Sequence, residues 1–249
     1  MGLAVTRIAS GAGVTIVGAL AGPNDPAQGR DLGELAGLGA LGVVISADAG
    51  AALLGAEVMI DFSTAAAAPA LFAAAARQKV AIVSGTTNLD EAGKRALDRA
   101  AEAVPVLWSP NTSLGVQVLA ELVEQAIRRL GPGFDVEIVE IHHRRKIDAP
   151  SGTAKRLAEA ARAARAELTE LSGRHGEVGA RTDAEMAVIS LRGGDVVGDH
   201  TVHLFGPGER LELVHRATNR EVFAQGALRA AQFLVGREPG RYAMKDVLG

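Results

Sequence analysis

Five nitrogen-bearing side chains follow one another from His142 to Lys146, in a chain whose formal net charge is only −3. Pro150 comes shortly after them and leads into a Ser-Gly-Thr segment at 151–153. Because proline cannot continue a helix from upstream, this segment predicts a new helix whose first N–H groups can bind an anion. A lysine suits a carboxylate or phosphate, and a histidine can give up a proton near neutral pH. The segment therefore predicts an anionic substrate that is protonated during the reaction.

The same segment also has a purely structural interpretation. A run of basic residues is often a solvated strand end, here followed by an ordinary capped helix. Asp148 could cap the backbone locally, and neighbouring histidines point to opposite faces of a strand. On these residues alone, both interpretations stay open.

The composition excludes several classes of function. The chain has no cysteine, which excludes disulfides, thiolate metal sites and a cysteine nucleophile, and which fits a reducing cytoplasm. The negative net charge and an aromatic content of only 3% argue against nucleic acid as a partner. The longest apolar run, 65–76, is too short to span a bilayer and contains Pro69, so we expect no membrane partner. Without cysteines or a paired-histidine spacing, we expect no metal site.

The elements that must position these residues begin with an alternating pattern in the first half of the chain. Short apolar runs predict five strands: Val14–Leu20, Gly42–Ser46, Glu57–Phe62, Val80–Ser84 and Val104–Trp108. Three helices are predicted. The first is Leu3–Ser10, the second has Pro69 in its first turn, and the third begins at a capping box formed by Asn88 and Glu91. Apolar strands separated by helices predict a parallel sheet covered on both faces.

The pattern changes after a long amphipathic helix predicted at Ser113–Leu130. Further strands are predicted at Val136–His142, Ala187–Leu191, Asp199–Phe205 and Arg210–Ala217, and helices at Ser151–Glu167 and Val222–Leu234. Glycine turns between the strands predict an antiparallel or mixed sheet, and Glu167–Asp183 has the composition of a polar loop. We therefore predict one domain at 1–113 and 220–249, and a second at 114–219.

The segment H-H-R-R-K-I-D-A-P-S-G-T-A resembles the signature of the dihydrodipicolinate reductase (4-hydroxy-tetrahydrodipicolinate reductase) family, E-x-H-H-x-x-K-x-D-A-P-S-G-T-A. Other segments resemble the same family, in the same order, along nearly the whole chain: Ile60–Ser63, Gly85–Thr87, Asp90–Gly93, Ser109–Asn111, Gly194–Thr201, Gly208–Leu211 and Met244–Leu248. The resemblance implies an α/β fold. Its first domain would be Rossmann-like and bind the dinucleotide. Its second would be an α+β domain with a mixed sheet for substrate binding and oligomerisation.

The resemblance also implies an activity, the reduction of 4-hydroxy-tetrahydrodipicolinate to tetrahydrodipicolinate with NADH or NADPH in lysine and diaminopimelate biosynthesis. His142 matches the general acid and Lys146 the second catalytic cation of the family. The residues that would hold the small dianionic substrate are His143, Ser151, Gly152 and Thr153. The cofactor contacts would come from Met1, Gly85, Thr86, Thr87, Ser109, Pro110, Asn111, Thr112 and Arg220. The expected assembly is a cytoplasmic homotetramer.

The sequence departs from the family pattern at two places. In the family, Met-Gly closes the phosphate loop G-x-x-G-R-M-G, and Met1-Gly2 matches only its last two residues. The first strand and the Gly-rich loop are therefore missing from the sequence, and we expect the natural start codon to lie upstream. Many members also carry an acidic residue for the adenine ribose where this chain has the segment 21–24, Ala-Gly-Pro-Asn. The choice between NADH and NADPH stays open.

Two other functions are compatible with these residues. One is a nicotinamide-dependent reductase of another small dicarboxylate imine, which turnover assays on both compounds would distinguish. The other is a truncated, catalytically inactive homologue that keeps the anion site, which an in-frame stop upstream of Met1 in the coding DNA would favour. Single motifs have structural alternatives as well: Asp61 could cap the following helix, the turn 85–88 could be only a turn and cap, and His200 is expected to be a packed or surface residue.

Overall fold

The computed structural model describes residues 1–249, which fold into two compact units. One unit consists of Met1–Ser113 together with Arg220–Gly249, and the other of Leu114–Asn219. The chain therefore leaves the first unit once and returns to it with its C-terminal segment. None of the helices combines the length and the apolar character that a membrane crossing requires.

Helices and strands alternate through most of the chain. In order they are α1 (Gly2–Gly11), β1 (Ala19–Leu20), α2 (Leu32–Ala36), β2 (Ile45–Ser46), α3 (Ala49–Ala52), β3 (Val58–Asp61), α4 (Ala68–Arg77), β4 (Ala81–Ser84), α5 (Glu91–Ala101), β5 (Pro105–Trp108), α6 (Leu114–Leu130), β6 (Asp135–His142), α7 (Gly152–Ala164), β7 (Thr169–Leu171), β8 (Glu185–Arg192), β9 (Gly198–Gly206), β10 (Glu209–Ala217), α8 (Glu221–Leu234), β11 (Gly240–Tyr242) and α9 (Met244–Leu248).

The first unit contains a four-stranded sheet in the order β11-β5-β4-β3, and all its pairs are parallel. Ile82 on β4 points into a core with Phe72 of α4 and Leu97 of α5. Since side chains alternate along a strand, the buried Ala81 and Val83 face the opposite side, where α8 packs on β3 and β4. The prediction of a parallel sheet covered on both faces is confirmed.

The predicted strand at Val14–Leu20 is wrong over most of its length. Only Ala19–Leu20 forms a strand, and it pairs with β2 alone in a separate two-stranded sheet. Val14 and Val17 are 36% and 47% exposed, so they are not core residues. The apolar run was a sound indication of a buried strand, but no neighbouring strand pairs with its first five residues, and a strand is held by its ladder.

Several local predictions can be compared with the observed boundaries. Pro69 lies in the first turn of α4, as predicted. The cap of α5 is Asp90 rather than Asn88: the Asp90 carboxylate accepts from Gly93 N at 2.8 Å, while Asn88 has φ +57°. Residues 167–183 are not only a loop, because they contain the short strand β7. The short elements α2, α3, β7, β11 and α9 were not predicted.

The second unit contains a mixed sheet in the order β10-β9-β6-β8-β7. The β10/β9 and β9/β6 pairs are antiparallel, whereas β6/β8 and β7/β8 are parallel. The helices α6 and α7 cover one face, and their apolar side chains form a core with those of β6, β8 and β9. The prediction of a mixed sheet is confirmed, and α7 ends at Ala164, three residues before its predicted end at Glu167.

Strand β6 begins in the apolar core and ends at a cluster of ionisable side chains. Burial alternates strictly along it, so that Val136, Ile138, Glu140 and His142 lie on its buried face. The first two are core residues with no exposed surface. The last two continue the same line with a carboxyl and an imidazole group, so β6 brings ionisable side chains to the rim of an apolar core.

Candidate active site

The site in the second unit forms where three neighbouring strands meet the start of α7. The strand register places Glu140 beside His200 of β9, and His142 beside Arg192 of β8. Ser151 is the N-cap of α7, and its backbone N–H donates to Glu140 Oε1 at 3.1 Å. The sheet register and the helix cap therefore bring five polar residues from four segments together.

Glu140 is the centre of this cluster and has no exposed surface. Its Oε2 lies 2.5 Å from His142 Nδ1. Arg192 holds the same carboxylate with both terminal nitrogens, at 2.9 Å to Oε2 and 2.8 Å to Oε1. With the amide of Ser151 as a further donor, the lone pairs of both carboxylate oxygens are engaged.

These hydrogen bonds decide the charge of the cluster. Burial alone would raise the pKa of Glu140, but hydrogen bonds from Arg192, His142 and Ser151 outweigh it and lower the pKa to about 2. Glu140 is therefore a carboxylate at neutral pH. Burial lowers the pKa of His142; the nearby Glu140 acts against this, while Lys146 and Arg192 act in the same direction as burial. An imidazole with a lowered pKa releases its proton readily.

The start of α7 presents a polar surface beside this pair. The Ser151 hydroxyl accepts from Ala154 N at 3.1 Å and lies 3.1 Å from His200 Nε2. Thr153 is buried, whereas a side chain at Gly152 would meet nothing within 4 Å, so the space over Gly152 is open. Amide groups and hydroxyls at a helix start can bind an anion.

Lys146 and His143 lie in the segment that joins β6 to α7. The ammonium group of Lys146 contacts both carboxylate oxygens of Asp148, at 2.7 and 2.9 Å. Its positive charge reaches His142 and His200, since it lowers the pKa of both imidazoles. His143 is half-buried, and its backbone N–H donates to Val196 O at 2.7 Å.

His200 is a buried neighbour of His142. Its ring meets that of His142 edge to face, with 5.2 Å between the centroids and 75° between the planes. Burial, followed by the nearby His142, lowers the pKa of His200 to about 3. His200 is therefore neutral at physiological pH. It is a packed residue, as expected from the sequence, but one that belongs to the polar cluster.

In the first unit, two turns follow the adjacent strands β4 and β5. The turn Gly85–Thr87 is held by the buried Asp61, whose Oδ2 accepts from the hydroxyls of Ser84 at 2.7 Å and Thr86 at 2.8 Å. Trp108 Nε1 donates to Thr86 O at 2.9 Å, which ties this turn to the end of β5. Asp61 does not cap the following helix α4, whose N-cap is Ala67 and lacks a side-chain hydrogen bond; it orders the turn instead.

The second turn, Ser109–Thr112, connects β5 with the C-terminal part of the unit. Ser109 N donates to Ser84 O at 2.9 Å, and the Thr112 hydroxyl donates to Phe223 O of α8 at 2.6 Å. Both predicted cofactor turns therefore lie at the carboxyl edge of the parallel sheet, where dinucleotides bind in open α/β folds.

Comparison with known proteins identifies the lineage of the chain. Residues 1–112 match the family model described as "Dihydrodipicolinate reductase, N-terminus", and residues 115–248 match "Dihydrodipicolinate reductase, C-terminus". The chain belongs to the dihydrodipicolinate reductase family. The 4-hydroxy-tetrahydrodipicolinate reductase of Anaeromyxobacter dehalogenans (strain 2CP-1 / ATCC BAA-258) is 49% identical over 253 residues, covering 100% of this chain and 94% of that protein. The one of Myxococcus xanthus is 46% identical over 254 residues, with the same coverage.

Solved structures place the fold in the same group. The dipicolinate-bound dihydrodipicolinate reductase from Paenisporosarcina sp. TG-14 superposes with a TM-score of 0.75 at 20% identity, covering 98% of this chain and 93% of that one. An amine dehydrogenase from Mycobacterium smegmatis superposes with a TM-score of 0.63 at 17% identity, covering 99% and 92%. At these identities the likeness concerns the fold alone.

The structure groups most of the predicted site residues. His142, Lys146 and the residues of 151–153 lie around one cluster, and the turns 85–87 and 109–112 lie at one sheet edge. Met1 precedes α1 and Arg220 precedes α8, so each stands at a helix start. Sequence reasoning missed Glu140 and Arg192. The glutamate that opens the family signature corresponds to Glu140, but nothing in the sequence indicated which arginine would pair with it.

Proposed function

We propose that this chain catalyses the NAD(P)H-dependent reduction of 4-hydroxy-tetrahydrodipicolinate to tetrahydrodipicolinate in lysine and diaminopimelate biosynthesis. Family membership supports the reaction type, and the curated relatives carry the substrate in their name. The observation that carries the proposal is the buried Glu140–His142 pair beside the start of α7. It puts a proton donor next to a place for an anion, as reduction of a charged ring requires.

His142 acts as the general acid in this proposal. The 4-hydroxyl group of the substrate leaves as water, which gives the ring a carbon–carbon double bond. The protonated ring of His142 donates its Nε2 proton to one carbon of that double bond and the other carbon takes the hydride, so the N–H electron pair stays on Nε2. The carboxylate of Glu140 stabilises the imidazolium before the transfer, while burial favours its return to the neutral form. Lys146 offsets the negative charge of the substrate in a partly desolvated site.

The substrate carboxylates are held at the segment that starts α7. Gly152 offers open space and amide groups, Ser151 and Thr153 offer hydroxyls, and His143 lies one residue beyond the acid. A helix start favours negative charge because its first N–H groups lack intrahelical acceptors. This set suits a small dianion better than a neutral ring.

The first unit would hold the nicotinamide dinucleotide. The turns Gly85–Thr87 and Ser109–Thr112 lie at the carboxyl edge of a parallel sheet and supply hydroxyl and amide groups. The start of α1, which Met1 precedes, has no side-chain cap and no acidic residue in its first turn, a donor set that suits phosphate. Arg220 stands at the start of α8. These residues fit the cofactor, which supplies the hydride when bound.

The domain roles and the assembly belong to the same proposal. Residues 1–113 with 220–249 bind the cofactor, and residues 114–219 bind the substrate and form a homotetramer. We define the outer face of the second unit's sheet as the side opposite α6 and α7; it carries Val139, Ile141, Ile189, Leu191, Phe205 and Val214. Four of these are between 37% and 48% exposed, more apolar surface than one sheet face usually leaves in water.

The cysteine-free composition supports a cytoplasmic location.

Turnover by the chain tests the proposal directly. In an assay coupled to dihydrodipicolinate synthase, the wild-type chain oxidises NADH or NADPH. Lys146→Ala is expected to lower kcat by about a hundredfold or more, with NAD(P)H affinity nearly unchanged, because the ammonium group acts on the substrate. Lys155→Ala, on an exposed position of α7, is the matched control and keeps wild-type kcat. No NAD(P)H oxidation by the wild-type chain would refute the function, and wild-type kcat in Lys146→Ala would refute the role of that residue.

A further inference from the structure

A carboxylate stands in a core position of β6. Glu140 follows Val136 and Ile138 on the buried face of the strand and is as buried as they are. A charged group is costly to bury unless it is paired and hydrogen-bonded, and a large apolar residue would fit the pattern of the strand without that cost. The position therefore calls for a role beyond packing.

Glu140 contacts three parts of the site directly or through Arg192: the His142 imidazole, the start of α7 and the segment that carries Lys146. One oxygen meets His142 Nδ1 at 2.5 Å, and the other accepts from the amide of Ser151, the N-cap of α7. Arg192 holds both oxygens and also donates to Asp148 O at 2.7 Å, in the segment that carries Lys146. One carboxylate thus links the imidazole, the helix start and the lysine segment.

The geometry also fixes which ring nitrogen of His142 can react. With Nδ1 donating to Glu140, the neutral imidazole carries its proton on Nδ1, and Nε2 is the nitrogen that exchanges a proton. Next to Nε2 stands Gly198 of β9, where an added Cβ would lie only 2.9 Å away. The space beside the reactive nitrogen is therefore kept free by the absence of a side chain.

We propose that Glu140, held by Arg192, is the positioning residue of the site: it sets the tautomer and orientation of His142 so that Nε2 delivers the proton. This inference rests on the proposed function for the identity of the acid. Glu140 has no exposed surface and contacts His142 at Nδ1, so its effect on the proposed reaction passes through His142.

The charged groups around His142 change its pKa in opposite directions, so replacing Glu140 and replacing Arg192 should have opposite effects on that pKa. Glu140 on β6 raises the pKa of His142, while Arg192 on β8 and Lys146 in the following turn lower it. The fourth facing group, His200 on β9, is neutral at physiological pH. Removing Glu140 should therefore lower the pKa of His142 and removing Arg192 should raise it, although each change breaks the same hydrogen-bonded pair.

The experiment compares Glu140→Gln, Arg192→Gln and the control Glu137→Gln in the full chain. Glu137 lies on the same strand and also pairs with an arginine, Arg181 at 3.0 Å, but it makes no contact with His142. Nuclear magnetic resonance with ¹⁵N-labelled histidine, without substrate, gives the pKa and the tautomer of His142. The pH dependence of kcat/KM gives the same pKa in turnover, since a general acid loses activity as pH rises through its pKa.

For Glu140→Gln we expect a His142 pKa that is lower by about one unit or more, loss of the Nδ1–H tautomer, an alkaline limb of the pH profile displaced to lower pH, and a kcat reduced about tenfold or more. For Arg192→Gln the His142 pKa moves upward, and for Glu137→Gln it stays at the wild-type value. A purely structural role predicts shifts of the same sign in the first two variants, or none, and either result overturns the inference.

The resonance measurement separates this inference from the proposed function. An unchanged tautomer in Glu140→Gln overturns the positioning role even when the wild-type chain reduces the substrate. Conversely, inactivity of the wild-type chain refutes the function while the shifts of the His142 pKa still test the positioning. Should Glu140→Gln fail to fold, the upward shift in Arg192→Gln tests the same arrangement, and its absence contradicts the inference.

Discussion

A glycine lies beside Nε2 of His142, the nitrogen that delivers the proton in the proposed reaction. Gly198 stands at the start of β9, and a Cβ there would lie 2.9 Å from His142 Nε2 and 3.6 Å from His200 Cε1. The imidazole cannot turn away from this position unless it loses its hydrogen bond to the buried Glu140. A methyl group at Gly198 would therefore displace the imidazole or fill the space beside Nε2 in which the proposed proton transfer takes place.

We expect Gly198→Ala to lower kcat by about tenfold or more, because a small displacement of a reacting group is costly to the rate, and to destabilise the fold by about 1–3 kcal/mol through overpacking. Steady-state kinetics and thermal unfolding measure the two effects. Gly193→Ala is the control, since a Cβ there meets nothing within 4 Å. Wild-type kcat in Gly198→Ala would show that Nε2 does not need this space.

Residue types revealed part of the site, and the sheet register supplied the rest. The imidazole of His142, the helix start at Ser151 and the turn at Gly85 could be predicted from the sequence, because each carries a local signal. Arg192 is 52 positions away from Glu140 in sequence, and only the parallel pairing of β6 with β8 makes them neighbours. Register depends on tertiary packing, which residue spacing does not show.

At the scale of elements, the turn between β4 and α5 depends on a side chain from another strand. Asp61, at the end of β3, accepts hydrogen bonds from Ser84 and Thr86, and its other oxygen accepts from Ser63 N at 2.8 Å. Gly85 is required in the turn, because a Cβ there would lie 2.2 Å from the ring of Phe62. The turn is thus fixed before any ligand arrives.

We expect Asp61→Ala to raise the Kd of NADH or NADPH about tenfold, because Ser84 and Thr86 lose their common acceptor and the turn loses its fixed shape. Fluorescence titration of the cofactor measures the affinity. Asp90→Ala is the control: it removes the cap of α5 and costs about 1 kcal/mol of stability, but it leaves cofactor affinity unchanged. Equal Kd values in wild type and Asp61→Ala would exclude an ordering role for Asp61.

The longer elements follow their sequence patterns closely, and the exceptions have two different causes. Amphipathic or continuously apolar segments such as α6 and β4 form where predicted, because their burial is encoded in their own periodicity. The segment Val14–Leu20 does not, since an apolar run becomes a strand only where another strand pairs with it. Short elements such as β7 and β11 are too brief for a periodic signal.

For the whole molecule, the outer face of the second unit's sheet makes a prediction about assembly. We expect Ile189→Glu to convert the proposed tetramer into smaller species, because a buried unpaired carboxylate is costly in an apolar interface. Size-exclusion chromatography with light scattering measures the mass. Leu54→Glu, at a 74% exposed position of the first unit, is the control and stays tetrameric. A monomeric wild type, or a tetrameric Ile189→Glu, would contradict an interface on this face.

The interrupted first unit has a consequence for biosynthesis on the ribosome. Helix α8 packs on β3 and β4 with a fully buried surface that includes Ala224, Ala227 and Leu234, and β11 pairs with β5, yet both are translated after the entire second unit. The second unit can therefore complete its fold while the nascent first unit still exposes the apolar surface that α8 will cover. Slow translation of the last codons would prolong that exposure and favour chaperone capture or aggregation.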